Sequence, residues 1–207
     1  MPATLPPKPD FESIEAAASR SADRRTSILA LIGNLVFSWA NNESLFIYLL
    51  MILLKTDQTS AAIVFATLNT TRARLDLIQR LAKVQVKDRT IAKQLSGLID
   101  RFNRYTRIRN EFNHCMYNVS DRGEITHTHS IRIVETPKQL RLGDVRPMDE
   151  TRIKEMTETI QGLKQLNRDI WNLLPRLEQH LSNDRALGGA SLDRTKDRKG
   201  EKNNNKK

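Results

Sequence analysis

Residues 88–116 read DRTIAKQLSGLIDRFNRYTRIRNEFNHCM, and this stretch decides the fold. Ile91, Leu95, Leu98, Phe102, Tyr105 and Phe112 recur at steps of three and four residues, with one gap. Such steps return to one face of a helix, in which each residue advances about 100°. Asp88, just ahead of the periodic residues, is a candidate N-cap. The pattern predicts a helix running to about Met116.

The same period appears on both sides. Upstream, residues 28–54 are the most apolar region, interrupted by Asn41, Asn42, Glu43 and Ser44. A membrane-spanning helix needs about 20 mostly apolar residues, and the half that follows the interruption is ten residues long. Buried bundle helix is the reading, with Glu43 near its middle. Residues 60–83 open on Ser60 as a candidate N-cap and set Ile63, Leu68, Leu75, Ile78 and Leu81 on one side. Downstream, residues 149–181 carry Ile153, Met156, Ile160, Leu163, Leu166, Ile170, Leu174, Leu177 and Leu181 at helical steps, with Pro175 as the expected kink.

Before that last helix, Ser120-Asp121-Arg122-Gly123 is a turn sequence and residues 124–135 alternate. Ile125, His127, His129, Ile131 and Ile133 are expected on one face, with Thr126, Thr128, Ser130 and Arg132 on the other. The fold class predicted is all-α, an up-and-down helical bundle with a small β-hairpin insert (about 117–135) before the last helix.

The 207 residues suit one domain of ordinary size, placed here at 11–181. A leader at 1–10 holding four prolines and a basic tail at 182–207 lack apolar periodicity and are expected to be disordered. The single Cys excludes an internal disulfide framework and a Cys-based zinc ribbon, and fits a reducing compartment. No secretory leader is expected, because residues 10–27 are polar and charged. A cytoplasmic location is therefore expected.

Formal net charge is +10, which admits a polyanion partner. It is unevenly placed. The tail carries +4, residues 72–109 carry +8, and the remainder sums to −2. A solvated helix face is the plain explanation of a charge run, but such faces usually mix both signs. The basic run ends in Arg109-Asn110-Glu111-Phe112-Asn113-His114. With Arg109 at zero on a helical wheel, Asn113 falls near 40°, Tyr117 near 80°, Asn110 near 100° and His114 near 140°. The stripe of Leu98, Phe102, Tyr105, Phe112 and Met116 spans about 300° to 20°, so the polar group fans out beside it. A guanidinium grips a phosphoryl group with paired hydrogen bonds, and imidazole moves protons near neutral pH. The alternative is structural: Arg109 paired with an acid such as Glu43, and His114 on the surface.

The Arg-Asn-x-x-x-His run at Arg109, Asn110 and His114, near the end of a bundle helix, resembles the signature of HEPN domains, the Arg-x4–6-His superfamily. The surroundings are similar over residues 28–180: an apolar helix with an embedded acid (Trp39 to Glu43), a second helix, the motif, a hairpin and a long final helix. That family includes toxin ribonucleases, antiviral abortive-infection proteins and the nuclease halves of RNA-targeting CRISPR effectors. The resemblance implies metal-independent cleavage of RNA without a cofactor, the 2′-hydroxyl attacking the adjacent phosphate to leave a 2′,3′-cyclic end. His114 would be the general acid or base, Arg109 would stabilise phosphorane charge, and Asn110 would orient the His or the phosphate. Glu43 would be a supporting acid. Arg101, Arg104, Arg107, Asn113 and Tyr117 are the residues expected to bind RNA. A homodimer is implied, because the family's motifs face each other across one; an antitoxin protein is a further partner that the resemblance admits and the sequence does not decide.

Some toxin members carry a Tyr two residues after the His that a partner nucleotidyltransferase modifies with AMP; Met116 stands there, with Tyr117 one further. The family also contains catalytically silent modules that bind RNA or protein, and that reading stays open. So does a helical interaction protein that meets a membrane through residues 28–54. Remaining signals are weak. His127 and His129 have a spacing that ligates metal, but no acid or Cys completes a set, so no metal site is expected. On a continuing helix Cys115 points about 100° from His114, against a Cys–His pair. No Gly-rich phosphate loop or dinucleotide fingerprint is present.

Overall fold

The computed structural model describes residues 24–119, 124–137 and 139–200. The leader expected at 1–10, the turn at 120–123 and the end of the tail at 201–207 lie outside the described residues. In chain order the elements are α1 (Arg24–Ser44), α2 (Phe46–Leu54), α3 (Gln58–Thr67), α4 (Thr71–Gln85), α5 (Arg89–Asn113), β1 (Cys115–Val119), β2 (Ile125–Ser130), β3 (Ile133–Thr136), β4 (Gln139–Leu142), β5 (Val145–Pro147) and α6 (Glu150–Gly200). The chain is predominantly α-helical, with a small strand insert before the last helix. Among the described residues there are two compact units. One holds Phe46–Ser96 and residues 171–200; the other holds residues 24–45 and Gly97–Ile170.

In the first unit, Phe46, Leu49, Leu50, Met51 and Leu53 of α2 are buried, as are Leu75, Ile78, Ile91, Leu95, Leu174 and Leu177. The helix expected over 60–83 is two helices. Asp57 caps α3, its carboxylate accepting from the Ser60 N–H at 2.9 Å and the Ser60 hydroxyl at 2.7 Å. These bonds favour the ionised form and hold the Asp57 carboxyl below its usual range. Ser60 therefore sits inside the first turn. The chain breaks before Thr70, whose hydroxyl accepts from the Ala73 N–H at 3.1 Å and starts α4. A short polar side chain offers the backbone a partner outside the helix, which a periodicity count does not see. Arg74 closes the corner: its Nε donates to the Phe65 carbonyl at 3.1 Å, with the guanidinium 4.0 Å from the Phe65 ring centroid. Asp88 caps α5 as expected, accepting from the Thr90 and Ile91 N–H groups at 2.7 and 3.0 Å.

The second unit is built on α1, the later turns of α5 and the early turns of α6. Trp39 stacks on Phe102 with centroids 5.5 Å apart, and its indole N–H donates to the Thr106 hydroxyl at 2.9 Å. Ile28, Leu35, Phe112, Met156, Ile160, Leu163 and Leu166 are buried in the same unit. Buried Asn42 donates to the carbonyls of Ser38 and Leu163 at 2.8 and 3.0 Å. Across residues 24–54 the chain is long and apolar enough to cross a membrane, with a mean hydropathy of 1.3 in its most apolar window. Of that window 56% is buried inside the protein, as in core helices.

Three expectations need correcting here. Helix α5 stops at Asn113, not Met116, so Cys115 and Tyr117 lie on β1 and their wheel positions do not apply. The insert runs from Cys115 to Pro147 as a three-stranded sheet in the order β1-β2-β5 and a separate β3-β4 pair. A bulge in β2 also breaks the expected faces: Asn118 pairs with His127 and Val119 with Ile125, which leaves Thr126 extra. An extra residue reverses which side later residues take, so Ile125 and Thr128 are buried while His127 is exposed. Helix α6 is assigned to Gly200, past the end of its apolar stripe at Leu181.

The end of α2 yields a stability prediction. The Lys55 N–H donates to the Ile52 carbonyl at 3.2 Å and the Thr56 N–H to the Met51 carbonyl at 3.1 Å, a Schellman turn with Lys55 at φ 55°. Glycine takes this conformation without the crowding a Cβ brings. Lys55→Gly is expected to raise stability by about 1 kcal/mol, read as a higher urea midpoint at unchanged slope. A lower midpoint would contradict this account of the turn.

Candidate active site

Asn110 occupies the last turn of α5, and the His114 N–H still donates to the Asn110 carbonyl at 3.0 Å while the chain turns into β1. The sheet folds back over this helix end. Cys115 pairs with Ser130 and Tyr117 with Thr128, and Thr128 pairs in turn with Arg146 on β5. These five residues share one face of the sheet. Met116, Asn118, His127, His129 and Val145 occupy the other face by alternation.

Between the sheet's inner face, the end of α5 and the first turn of α6 lies a pocket of about 190 Å³. Asn110, Glu111, His114, Ser130, Arg132, Arg146 and Arg152 are among its walls. Gly143 is part of them because nothing larger fits: a Cβ there would stand 2.7 Å from the Ser130 hydroxyl oxygen and 3.1 Å from the Arg132 carbonyl. Glu111 organises the charge, one carboxylate oxygen accepting from Arg146 at 3.1 Å and from Arg152 at 3.2 Å. Arg152 is buried, pairs also with Glu155, and lies 4.1 Å from the Phe112 ring centroid.

The motif residues separate into two groups. Asn110 and His114 line the pocket, and His114 is exposed. Arg109 instead faces α1, its guanidinium 3.4 Å from the Trp39 ring centroid. One Nη donates to the Asn110 side-chain oxygen at 2.9 Å, while the buried Nε has no partner. Burial lowers the Arg109 pKa from its ordinary value, and the charge of Glu43 acts against that. Glu43 thus supports Arg109 electrostatically, and Arg109 reaches the pocket only through Asn110.

The residues expected to bind RNA also differ among themselves. Arg101 is bound to Asp169 at 2.5 Å. Arg104, Arg107 and Asn113 are exposed. The Tyr117 hydroxyl donates to the Phe112 carbonyl at 2.6 Å, so Tyr117 pins β1 to α5. Burial pushes its phenol well above the ordinary range. His127 and His129 face away from the pocket, and no cluster of three or more metal-ligating side chains occurs among the described residues.

Sequence reasoning missed Glu111, Ser130, Arg132, Arg146 and Arg152 as site residues. They meet only because β2, β5 and α6 converge on one helix end, and no linear spacing records that. Arg132 was expected on the hairpin face of Thr128 and Ser130, and all three line the pocket. Compared with models of known families, with curated proteins and with solved structures, the chain matches none.

Cys115 tests the closure of this corner. Burial is the main cause that pushes its thiol pKa up, and the thiol donates to the Phe112 carbonyl at 3.4 Å. The thiolate is the reactive form, so the raised pKa makes it scarcer at a given pH. Alkylation by iodoacetamide at pH 8 is expected to run several-fold slower than for free cysteine, and to reach the free rate in denaturant. Equal rates in the folded protein would show the corner open.

Proposed function

We propose that this protein is a HEPN-type endoribonuclease that cleaves RNA by 2′-hydroxyl attack, without metal, as a homodimer. The observation that carries the reading is the meeting of Asn110 and His114 in one pocket that Arg132 and Arg146 also line, at the end of the basic helix. In the reaction the 2′-hydroxyl gives up its proton as its oxygen bonds to phosphorus, the bond from phosphorus to the 5′-oxygen breaks, and the leaving oxygen takes a proton. His114 is exposed at the pocket and is placed to move one of these protons. Asn110, held by Arg109, orients His114 or a phosphate oxygen. A role in toxin or antiviral systems, with an antitoxin as a further partner, belongs to the same proposal and rests on the motif resemblance alone.

Support for a homodimer comes from α1. Residues 27–42 carry no charge, and the exposed side of the helix presents Leu29 at 52% and Phe37 at 62% accessibility. Ala30, Gly33 and Ala40 are exposed with them, and Gly33 has open space around it. An uncharged helix face with small residues between large ones suits close helix–helix contact. A Phe37→Asp variant is expected to sediment as a monomer with unchanged helicity. A wild type that is already monomeric at micromolar concentration would contradict the dimer.

One observation favours a second reading, an RNA-binding module without turnover. The Arg109 guanidinium lies on Trp39 and not in the pocket with His114. The two readings part on one variant. Under the first, His114→Ala abolishes cleavage of a single-stranded RNA and leaves the thermal midpoint within a few degrees of wild type. Cleavage at the wild-type rate by purified His114→Ala would falsify it. Binding without cleavage by both proteins is the signature of the second.

A further inference from the structure

The pocket's hydrogen-bonding inventory is unbalanced. Arg146 donates once, to Glu111, and its remaining guanidinium N–H groups have no ion-pair partner among the described residues. Arg132 is exposed and makes no ion pair among the described residues. Ser130 accepts from the Arg132 N–H at 3.3 Å, which leaves its own O–H free to donate, and the Asn110 amide adds N–H donors. On the acceptor side Glu111 is already engaged by two arginines, and Asp144 is the other carboxylate in the walls. Donors exceed acceptors, and planar guanidinium groups pair with tetrahedral oxyanions through two parallel hydrogen bonds.

We propose that Arg132 and Arg146, carried on the strand insert, bind one phosphodiester group of single-stranded RNA in this pocket beside His114. Arg152 is a positioning residue: buried and fastened to Glu111 and Glu155, it keeps the Glu111 carboxylate where it holds Arg146. A volume of about 190 Å³ admits a phosphate with part of one nucleotide and excludes a duplex, whose paired strands keep each phosphate on a wide cylinder. As a statement about substrate this rests on the ribonuclease reading. As a statement about ligand chemistry it stands on the donors alone.

The test uses the full chain and a single-stranded RNA of ten nucleotides, fully 2′-O-methylated so that it cannot be cut by 2′-attack. Binding is followed by fluorescence anisotropy, with inorganic phosphate as competitor. Arg132→Gln is expected to weaken RNA binding about tenfold, the loss typical of a charge-assisted hydrogen-bonded contact. The Arg132→Gln/Arg146→Gln pair is expected to remove competition by phosphate. His127→Gln, on the outer sheet face, is expected to bind as wild type does. Arg132 makes no ion pair among the described residues, so its variant keeps the fold and the result stays readable if the double variant does not fold. Wild-type affinity in Arg132→Gln overturns the inference, even in a protein that cleaves RNA. Phosphate competition lost in the variants of a protein that never cleaves RNA leaves the inference standing and removes the ribonuclease reading. Equal affinity for duplex and single strand overturns the stated substrate class.

Discussion

A single carboxylate oxygen of Glu111 holds the site together, accepting from Arg146 on β5 and from Arg152 on α6. Arg152 is 7% exposed at its side chain, and a buried charge that loses its partner typically costs about 3–5 kcal/mol. Helix end, sheet and following helix are therefore fastened at one point, because each supplies one member of the same ion network. The pocket follows from that fastening. Its walls come from the end of α5, the strand insert and the start of α6, and a Cβ at Gly143 would stand 2.7 Å from the Ser130 hydroxyl oxygen. Thr128, buried at the centre of the sheet face, marks where the insert meets the helix end.

A second constraint acts through Trp39. Its ring receives Phe102 on one account and the Arg109 guanidinium on another, while its N–H is held by Thr106. This places a cation at the edge of the core, where its cost is offset by the ring face and by Glu43. The same contact turns Arg109 away from His114. Arg109 and His114 were read together as a phosphate-handling pair; within one chain they serve different surfaces, linked by Asn110. The guanidinium groups lining the pocket of one chain are those of Arg132, Arg146 and Arg152.

Much of the fold was legible because it is periodic. The stripes of α5 and α6 and the N-cap at Asp88 were readable residue by residue, since helix packing repeats at a fixed step. What was not legible depended on local competition or on distant convergence. Thr70 interrupts a helix through its own hydroxyl. Thr126 reverses a strand's faces through one extra residue. The β4 and β5 strands are four and three residues long, too short for alternation to register. At the site, Asn110 and His114 were found by spacing on one helix. Arg132, Arg146 and Arg152 were not, because they reach it from the strand insert and from α6.

The most direct test of the central claim is the chemistry of the RNA ends. Single-stranded RNA incubated with the full chain in EDTA is analysed by mass spectrometry of its fragments. The account predicts fragments ending in 2′,3′-cyclic phosphate with 5′-hydroxyl partners, formed at the same rate with and without the chelator. Fragments with 3′-hydroxyl and 5′-phosphate ends, or intact RNA at every protein concentration, would contradict it.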